Sequence, residues 1–305
     1  MVKVSVILVS YNTRELTLNA IKSIHEKTKN ILYEIILVDN DSCDNTLEQV
    51  EKEFQDVICI RNDKNYGFGY ANNIGAKKAK GEYIFLLNTD TVLINNAIKI
   101  LSDYLDTYAV KDNIVAVCGN LYDQCNNPTT SYSKLFPSIA LEINTLFFNF
   151  MHHLKSKNFH FNFSNKPIQF KGSLSGADSM LVKRHFDSVN GFDQDFFLYY
   201  EETDLFYRLI AKGLLVASVP QAKIVHLEGA SEQLKEKTLI RSFTSKYLYL
   251  KKHKPNYIHA FYHYIYQATL FSRIILFRVL GNNEKLQYWK LLEKIENQVY
   301  LESKQ

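Results

Sequence analysis

Val4 to Val9 is apolar at every position but Ser5, too short for a buried helix and rich in β-branched residues, so it predicts a strand covered on both faces. Arg14 to Lys27 then places Leu16, Ala20, Ile21 and Ile24 on one helical face. The two patterns keep alternating. Glu34 to Val38, Val57 to Ile60, Tyr83 to Leu87 and Ile114 to Val117 repeat the strand, while Asp44 to Phe54, Phe68 to Lys80 and Asn95 to Tyr108 repeat the helix, with Gly81 in a C-cap role. Such alternation is the mark of βαβ units around a mostly parallel sheet flanked by helices.

Regularity stops at residues 119–170, an aromatic stretch without clear period. It resumes with a strand over Ser173 to Val182, a helical turn near Arg184, the aromatic segment Gly191 to Tyr200, and a helix over Thr203 to Lys212 closed by Gly213. Strands at Leu215 to Val219 and Lys223 to His226 follow, and from Ser231 onward three helical patterns run with almost no strand signal. The expected division is an α/β domain over residues 1–230 and a helical C-terminal extension over 231–305.

With 305 residues and 46% apolar content the chain has ample core for this plan. A net charge of +4 is too mild to announce nucleic acid. Cys43, Cys59, Cys118 and Cys125 form no CxxC pair, which fits reduced thiols better than a zinc knuckle or a disulfide framework. The first residues lack a cleavage site, and Arg273 and Arg278 interrupt the longest apolar stretch near the C-terminus, so neither a signal peptide nor a spanning helix is expected. A cytoplasmic protein follows as the expectation.

In an open parallel sheet, ligands bind beyond the carboxyl ends of the strands. Those positions are polar here: Ser10, Tyr11 and Asn12 after the first strand, Asp39, Asn40, Asp41 and Ser42 after the second, and Asn88, Thr89 and Asp90 after Leu87. Asp39 sits where a dinucleotide fold keeps its ribose-binding acid, but the loop after the first strand contains no glycine, so it cannot cradle a pyrophosphate in the manner of GxGxxG. The same lack of an early glycine-rich loop argues against a nucleotidyltransferase.

The segments VSVILVSYN, VDNDSCDNT, NYGFGYANNIG, LLNTDT, GADSMLVKRHFDSVNGFDQDFFLYYEETDL and VHLEGAS, in that order, make the chain resemble glycosyltransferase family 2 with the GT-A fold, the nucleotide-diphospho-sugar transferase type, in particular its rhamnosyltransferase-like branch from bacterial surface-polysaccharide synthesis. The resemblance covers most of residues 1–231. It implies a divalent cation, Mg2+ or Mn2+, held through Asp90 and His226 to support a departing diphosphate. Asn88 stands where the family's metal motif often has a second Asp. Ser10, Tyr11, Asn12, Asp39, Asn40, Asn65, Gly67, Asn73, Asn88 and Asp90 fall on its donor-binding positions. Gly172, Gly176, Ala177 and Asp178 match an acceptor-side loop, with Gly176, Asp178 and Glu201 as acceptor contacts. The general base falls on Glu202, with Asp204 as the alternative. Glu here replaces the family's usual Asp, and acids in the first turn of a helix also serve its dipole.

The resemblance implies a metal-dependent, hexosyltransferase-type enzyme that moves a sugar, rhamnose among the candidates, with inversion from a dTDP- or UDP-linked donor to a glycan or lipid-linked acceptor. A non-catalytic nucleotide-sugar or glycan-binding partner in a polysaccharide assembly complex is the alternative. Arg241, Lys246, Lys251, Lys252 and Lys254 interleave with Leu239, Ile240, Phe243, Tyr247 and Leu250 at helical spacing, which suits either a helix covering the catalytic domain with a solvated basic face or peripheral contact with the inner face of a membrane. A homodimer stays open.

Overall fold

The computed structural model describes residues 1–148, 163–227 and 236–304. The chain begins with β1 (Val4–Ser10), α1 (Arg14–Lys27), β2 (Tyr33–Asp39), α2 (Thr46–Glu53), β3 (Ile58–Arg61), α3 (Phe68–Lys78) and β4 (Tyr83–Leu87). Then come β5 (Thr91–Leu93), α4 (Ala97–Tyr108), β6 (Ile114–Tyr122), β7 (Tyr132–Ser133), α5 (Ile139–Leu146), β8 (Ile168–Phe170), β9 (Ser173–Leu174) and β10 (Asp178–Val182). The remainder is α6 (Lys183–Asp187), α7 (Glu201–Ala211), β11 (Leu215–His226), α8 (Glu236–His253), α9 (Asn256–Val279) and α10 (Asn283–Ser303).

Among the described residues the chain clusters into two compact units. One comprises residues 1–136, 163–197 and 201–227; the other comprises 137–148, 198–200 and 236–304. The first unit is built on one mixed sheet in the order β3-β2-β1-β4-β10-β6-β11-β5, with β8 also on β11. Strands β3, β2, β1 and β4 are parallel, β10 runs antiparallel to both β4 and β6, and β6 is parallel to β11. Both faces are buried, which explains the unbroken apolar runs. Val6, Leu8 and Phe85 belong to one core cluster, whereas their neighbours Ile7, Ile84 and Leu86 belong to the other.

Several expectations need correction. Helix α3 ends at Lys78 with Ala79 in an extended conformation, so Gly81 is no C-cap. Its role is close approach: a Cβ there would lie 2.6 Å from the Ser5 backbone nitrogen. The run Ser173 to Val182 breaks into β9 and β10, and the two expected strands before His226 form the single β11, with a register shift between Ser218 and Lys223. Helix α5 was not expected. It has eight residues, capped by Ser138, and lies in the second unit with the C-terminal helices. There Phe243, Tyr247 and Leu250 of α8 are buried, and Lys246 makes an ion pair with Glu142 at 3.4 Å instead of joining a solvated basic face.

Gly67 is fixed by geometry. Its φ of +89° is left-handed, and a Cβ would stand 2.1 Å from the carbonyl oxygen of Phe197. Gly67→Ala is therefore expected to lower the unfolding free energy by about 3 kcal/mol, read from the urea midpoint, because strain and a backbone clash coincide.

Candidate active site

The strand order reverses between β1 and β4, since β2 lies on one side of β1 and β4 on the other, and a crevice beyond the carboxyl ends follows from that topology. Strands β1 and β2 are in register up to the Ser10–Asp39 pair, so their two loops emerge side by side. Asp39 is fully buried: one carboxylate oxygen accepts from the Ser10 hydroxyl and the other from the Ser42 N–H, both at 2.8 Å. Asn12, in the left-handed region, donates its N–H to the Ser42 hydroxyl and accepts the Cys43 N–H on its side-chain oxygen. The two loops are thus stitched together, with Tyr11, Asn12, Asp41 and Cys43 exposed.

Asn40 is buried as well. Its amide nitrogen donates to the Gly67 carbonyl at 3.1 Å, and its amide oxygen accepts from Asn62 at 2.8 Å. Asn62 was missed by sequence reasoning, although it stands directly after β3, the same kind of strand-end position that singled out the others. Asn65 accepts the Gly67 N–H and shapes the turn into α3. Asp39, Asn40 and Asn65 are read from sequence as ligand contacts; in the structure their hydrogen bonds build the loops.

Asp90 ends the polar stretch after β4, and β5 begins at the next residue, so Asp90 does not cap α4. Strand β5 runs antiparallel to β11 and pairs Thr91 with His226. That pairing brings the Asp90 Oδ1 to 3.3 Å from the His226 Nε2, both side chains being largely buried, while the Leu227 N–H donates to the Asp90 carbonyl. At that separation the carboxylate and the imidazole would be able to hold one divalent cation between them, while no group of three or more His, Cys, Asp or Glu suited to a metal occurs among the described residues. The partly exposed Asn88 lies beside them, its backbone fixed by the Ala177 carbonyl and the Thr91 hydroxyl. Gly229 and Ser231 of the VHLEGAS segment lie outside the described residues.

The loop that leads to α7 is held at several points. The Asn73 amide donates to the Phe192 carbonyl and accepts the Phe192 N–H, at 2.8 and 2.9 Å. This pairing, across 119 residues, gives Asn73 a loop-holding role. Arg208 donates to the carbonyls of Val189 and Gly191 and to the fully buried Asp204 carboxylate. Asp204 is thereby locked into the fold. Arg208→Met strips this carboxylate of its guanidinium and is expected to destabilise the protein by about 3 kcal/mol, measured by urea unfolding.

The Phe68 N–H donates to the Phe197 carbonyl, and Glu202 follows Phe197 by five residues. Gly176 lies against the Phe68 ring, and Ala177 accepts the Asn88 N–H. These contacts link the end of β4, through Ala177, Gly176 and Phe68, to the loop before α7 that leads into Glu202. Tyr199 and Tyr200 both enter α7 with left-handed backbone, φ +69° and +64°. Glu201 is buried and its Oε2 has no hydrogen-bond partner among the described residues; Glu202 is partly exposed. Burial raises the pKa of both, and for Glu201 the charge of Glu202 adds to it.

Asp178 departs from its expected part. It lies within β10, fully buried between β4 and β6, with one oxygen accepting the Gly119 N–H at 2.8 Å. Burial holds its carboxyl well above the usual range, as for an interior acid. A Cβ at Gly172 would meet the Ser133 carbonyl at 2.2 Å, which marks a packing requirement, whereas Gly176 leaves open space beyond the Phe68 ring. A concavity formed by Gly81, Tyr83, Leu105, Val182 and Arg184 lies at the amino end of β4 and contains none of these residues.

The chain is similar to known proteins in sequence and in fold. The sequence pattern described as Glycosyl transferase family 2 matches residues 5–172. The dTDP-rhamnosyl transferase RfbF of Shigella flexneri is 27% identical over 226 residues, covering 73% of this chain and 68% of its own length. WfaP of Escherichia coli, a UDP-Glc:alpha-D-GlcNAc-diphosphoundecaprenol beta-1,3-glucosyltransferase, is 34% identical over 124 residues, covering 37% of this chain and 49% of itself. Other relatives run longer, and the chain spans 35% of one and 28% of another. Among solved structures, GalNAc-T7 with UDP, GalNAc and Mn2+ superposes with a TM-score of 0.57 at 18% identity, over 80% of this chain and 47% of that one, a likeness of GT-A fold. The matched pattern extends over more than half of the chain and contains the loops that carry Asn12, Asp39 and Asp90, and by that measure the chain belongs to glycosyltransferase family 2.

Proposed function

We propose that the chain is an inverting, metal-dependent transferase that passes a sugar from a dTDP- or UDP-linked donor to a hydroxyl of a glycan or lipid-linked acceptor in polysaccharide synthesis. The dTDP and UDP alternatives, and the lipid-linked acceptor, correspond to the names of RfbF and WfaP. The observation that carries the reading is the approach of Asp90 to His226 at 3.3 Å.

Asp90 and His226 would hold the cation, and a bound cation would neutralise charge on the departing diphosphate. Glu202 takes the acceptor's proton as the hydroxyl oxygen bonds to the anomeric carbon, and the bond from that carbon to the diphosphate oxygen breaks on the opposite face. One proton moves to Glu202, one electron pair leaves with the nucleoside diphosphate, and the configuration inverts. Partial burial of Glu202 suits this task, because a base that is less hydrated and of raised pKa accepts a proton more readily near neutrality. Asn73, Arg208 and Gly67 act through the loop they hold.

Thermal unfolding with UDP, dTDP and GDP, with and without Mn2+, tests the reading. Mass action makes binding worth about 2.7 kcal/mol at a hundredfold excess over Kd. Stabilisation by one of the three that requires metal is expected; none from any of them rejects the donor class. Release of nucleoside diphosphate from a sugar-loaded donor then separates an enzyme from a non-catalytic binder.

A further inference from the structure

Residues 237–283 contain eight Lys and Arg and not one Asp or Glu, in a chain that carries 32 acids over 305 residues. This stretch covers nearly all of α8 and the whole of α9. Helix α9 buries Tyr262, His263, Leu270 and Ile274 on one side. On its other side Tyr257, Phe261, Tyr264, Phe271, Ile275 and Val279 stand 43–79% exposed. Their spacing of four, three, seven, four and four residues keeps them on one helical face, a stripe about 33 Å long at 1.5 Å per residue. Isolated exposed apolar side chains are ordinary, but a continuous aromatic stripe marks a surface that meets something. Among the described residues no helix is long and apolar enough to cross a membrane.

From this stripe we infer that the exposed face of α9 docks on an anionic lipid surface. Two features favour lipid over a second copy of the chain. Exposed Lys251, at the end of α8, and Arg278 flank the stripe along the chain, and a twofold interface would set this acid-free, cationic stretch against its own copy, so that like charges would meet. An anionic leaflet supplies the opposite sign, at about 1 kcal/mol per cation near its surface. Tyr257 and Tyr264 suit an interface because the ring enters the acyl boundary while the hydroxyl stays with the headgroups.

Sedimentation of the full chain with vesicles of phosphatidylcholine alone, or of phosphatidylcholine with phosphatidylglycerol, tests the inference. Binding to the anionic vesicles is expected, and it should weaken as salt approaches about 0.5 M, where screening acts over roughly 4 Å. Lys251→Glu/Arg278→Glu should lower that affinity at least fivefold for each site changed. Phe261→Glu/Phe271→Glu should lower it at least tenfold with thermal unfolding unchanged. If the aromatic variant fails to fold, the charge variant and the salt series decide. A wild-type chain that stays in the supernatant with anionic vesicles at low salt overturns the inference, as does equal binding to both vesicle types. A dimer by light scattering that Phe261→Glu/Phe271→Glu converts to monomer, without vesicle binding, overturns it in favour of a second copy.

Discussion

Glu202→Gln is expected to reduce kcat/KM for sugar transfer by about 10²–10⁴-fold while leaving metal-dependent nucleotide binding intact, because the amide keeps the shape of the side chain and loses only the proton acceptor. The pH dependence should identify the group. Since burial raises the carboxyl of Glu202, the acid limb of the wild-type kcat/KM profile should lie above the ordinary glutamate range, with activity falling as the pH drops through it. Stability runs the opposite way. A carboxyl whose pKa is higher in the folded than in the unfolded state contributes stability in acid, and that contribution is lost as the pH rises through the folded pKa. At neutral pH the glutamine variant should accordingly be as stable as the wild type or more so, and inactive. A variant that lost activity together with stability would point to a structural role for Glu202 and against the base.

Most of the first unit was legible because a sheet buried on both faces writes each strand as an unbroken apolar run. Ile7 and Leu8 pack into different core clusters, and both are fully buried. The parallel order then directs attention to the polar residues after β1, β2 and β4. What stayed hidden was how those side chains are used. Asn73 meets Phe192, and Asp39 meets Ser10, through pairings that no local period records. Strand β5 was invisible for another reason: three residues carry no period, and the strand takes its shape from β11, which also brings His226 to Asp90. Helix α5 has only eight residues and sits in a segment of mixed aromatic and polar composition, where the helical repeat is too short to stand out.

Asp90→Asn should separate the metal reading from a structural one. The substitution keeps the size of the side chain and can still meet the imidazole of His226, and the Leu227 N–H bonds to the Asp90 backbone, which is untouched. Thermal stability without ligand should therefore change by less than about 1 kcal/mol, as for a partly buried polar contact that is exchanged and not deleted. What should vanish is the extra stabilisation of the nucleotide complex by Mn2+, since a neutral amide oxygen is a far weaker partner for a hard divalent ion than a carboxylate. The loss in kcat/KM is expected near 10²-fold or more, the counterpart of about 3 kcal/mol of charge stabilisation withdrawn from the departing diphosphate. His226→Ala should give a smaller decrease in the same metal-dependent signal, because an uncharged nitrogen ligand is easier for water to replace. If Asp90→Asn instead bound nucleotide with the wild-type dependence on Mn2+, the pairing of Asp90 with His226 would be an ordinary interior contact, and the cation would have to be held by other groups.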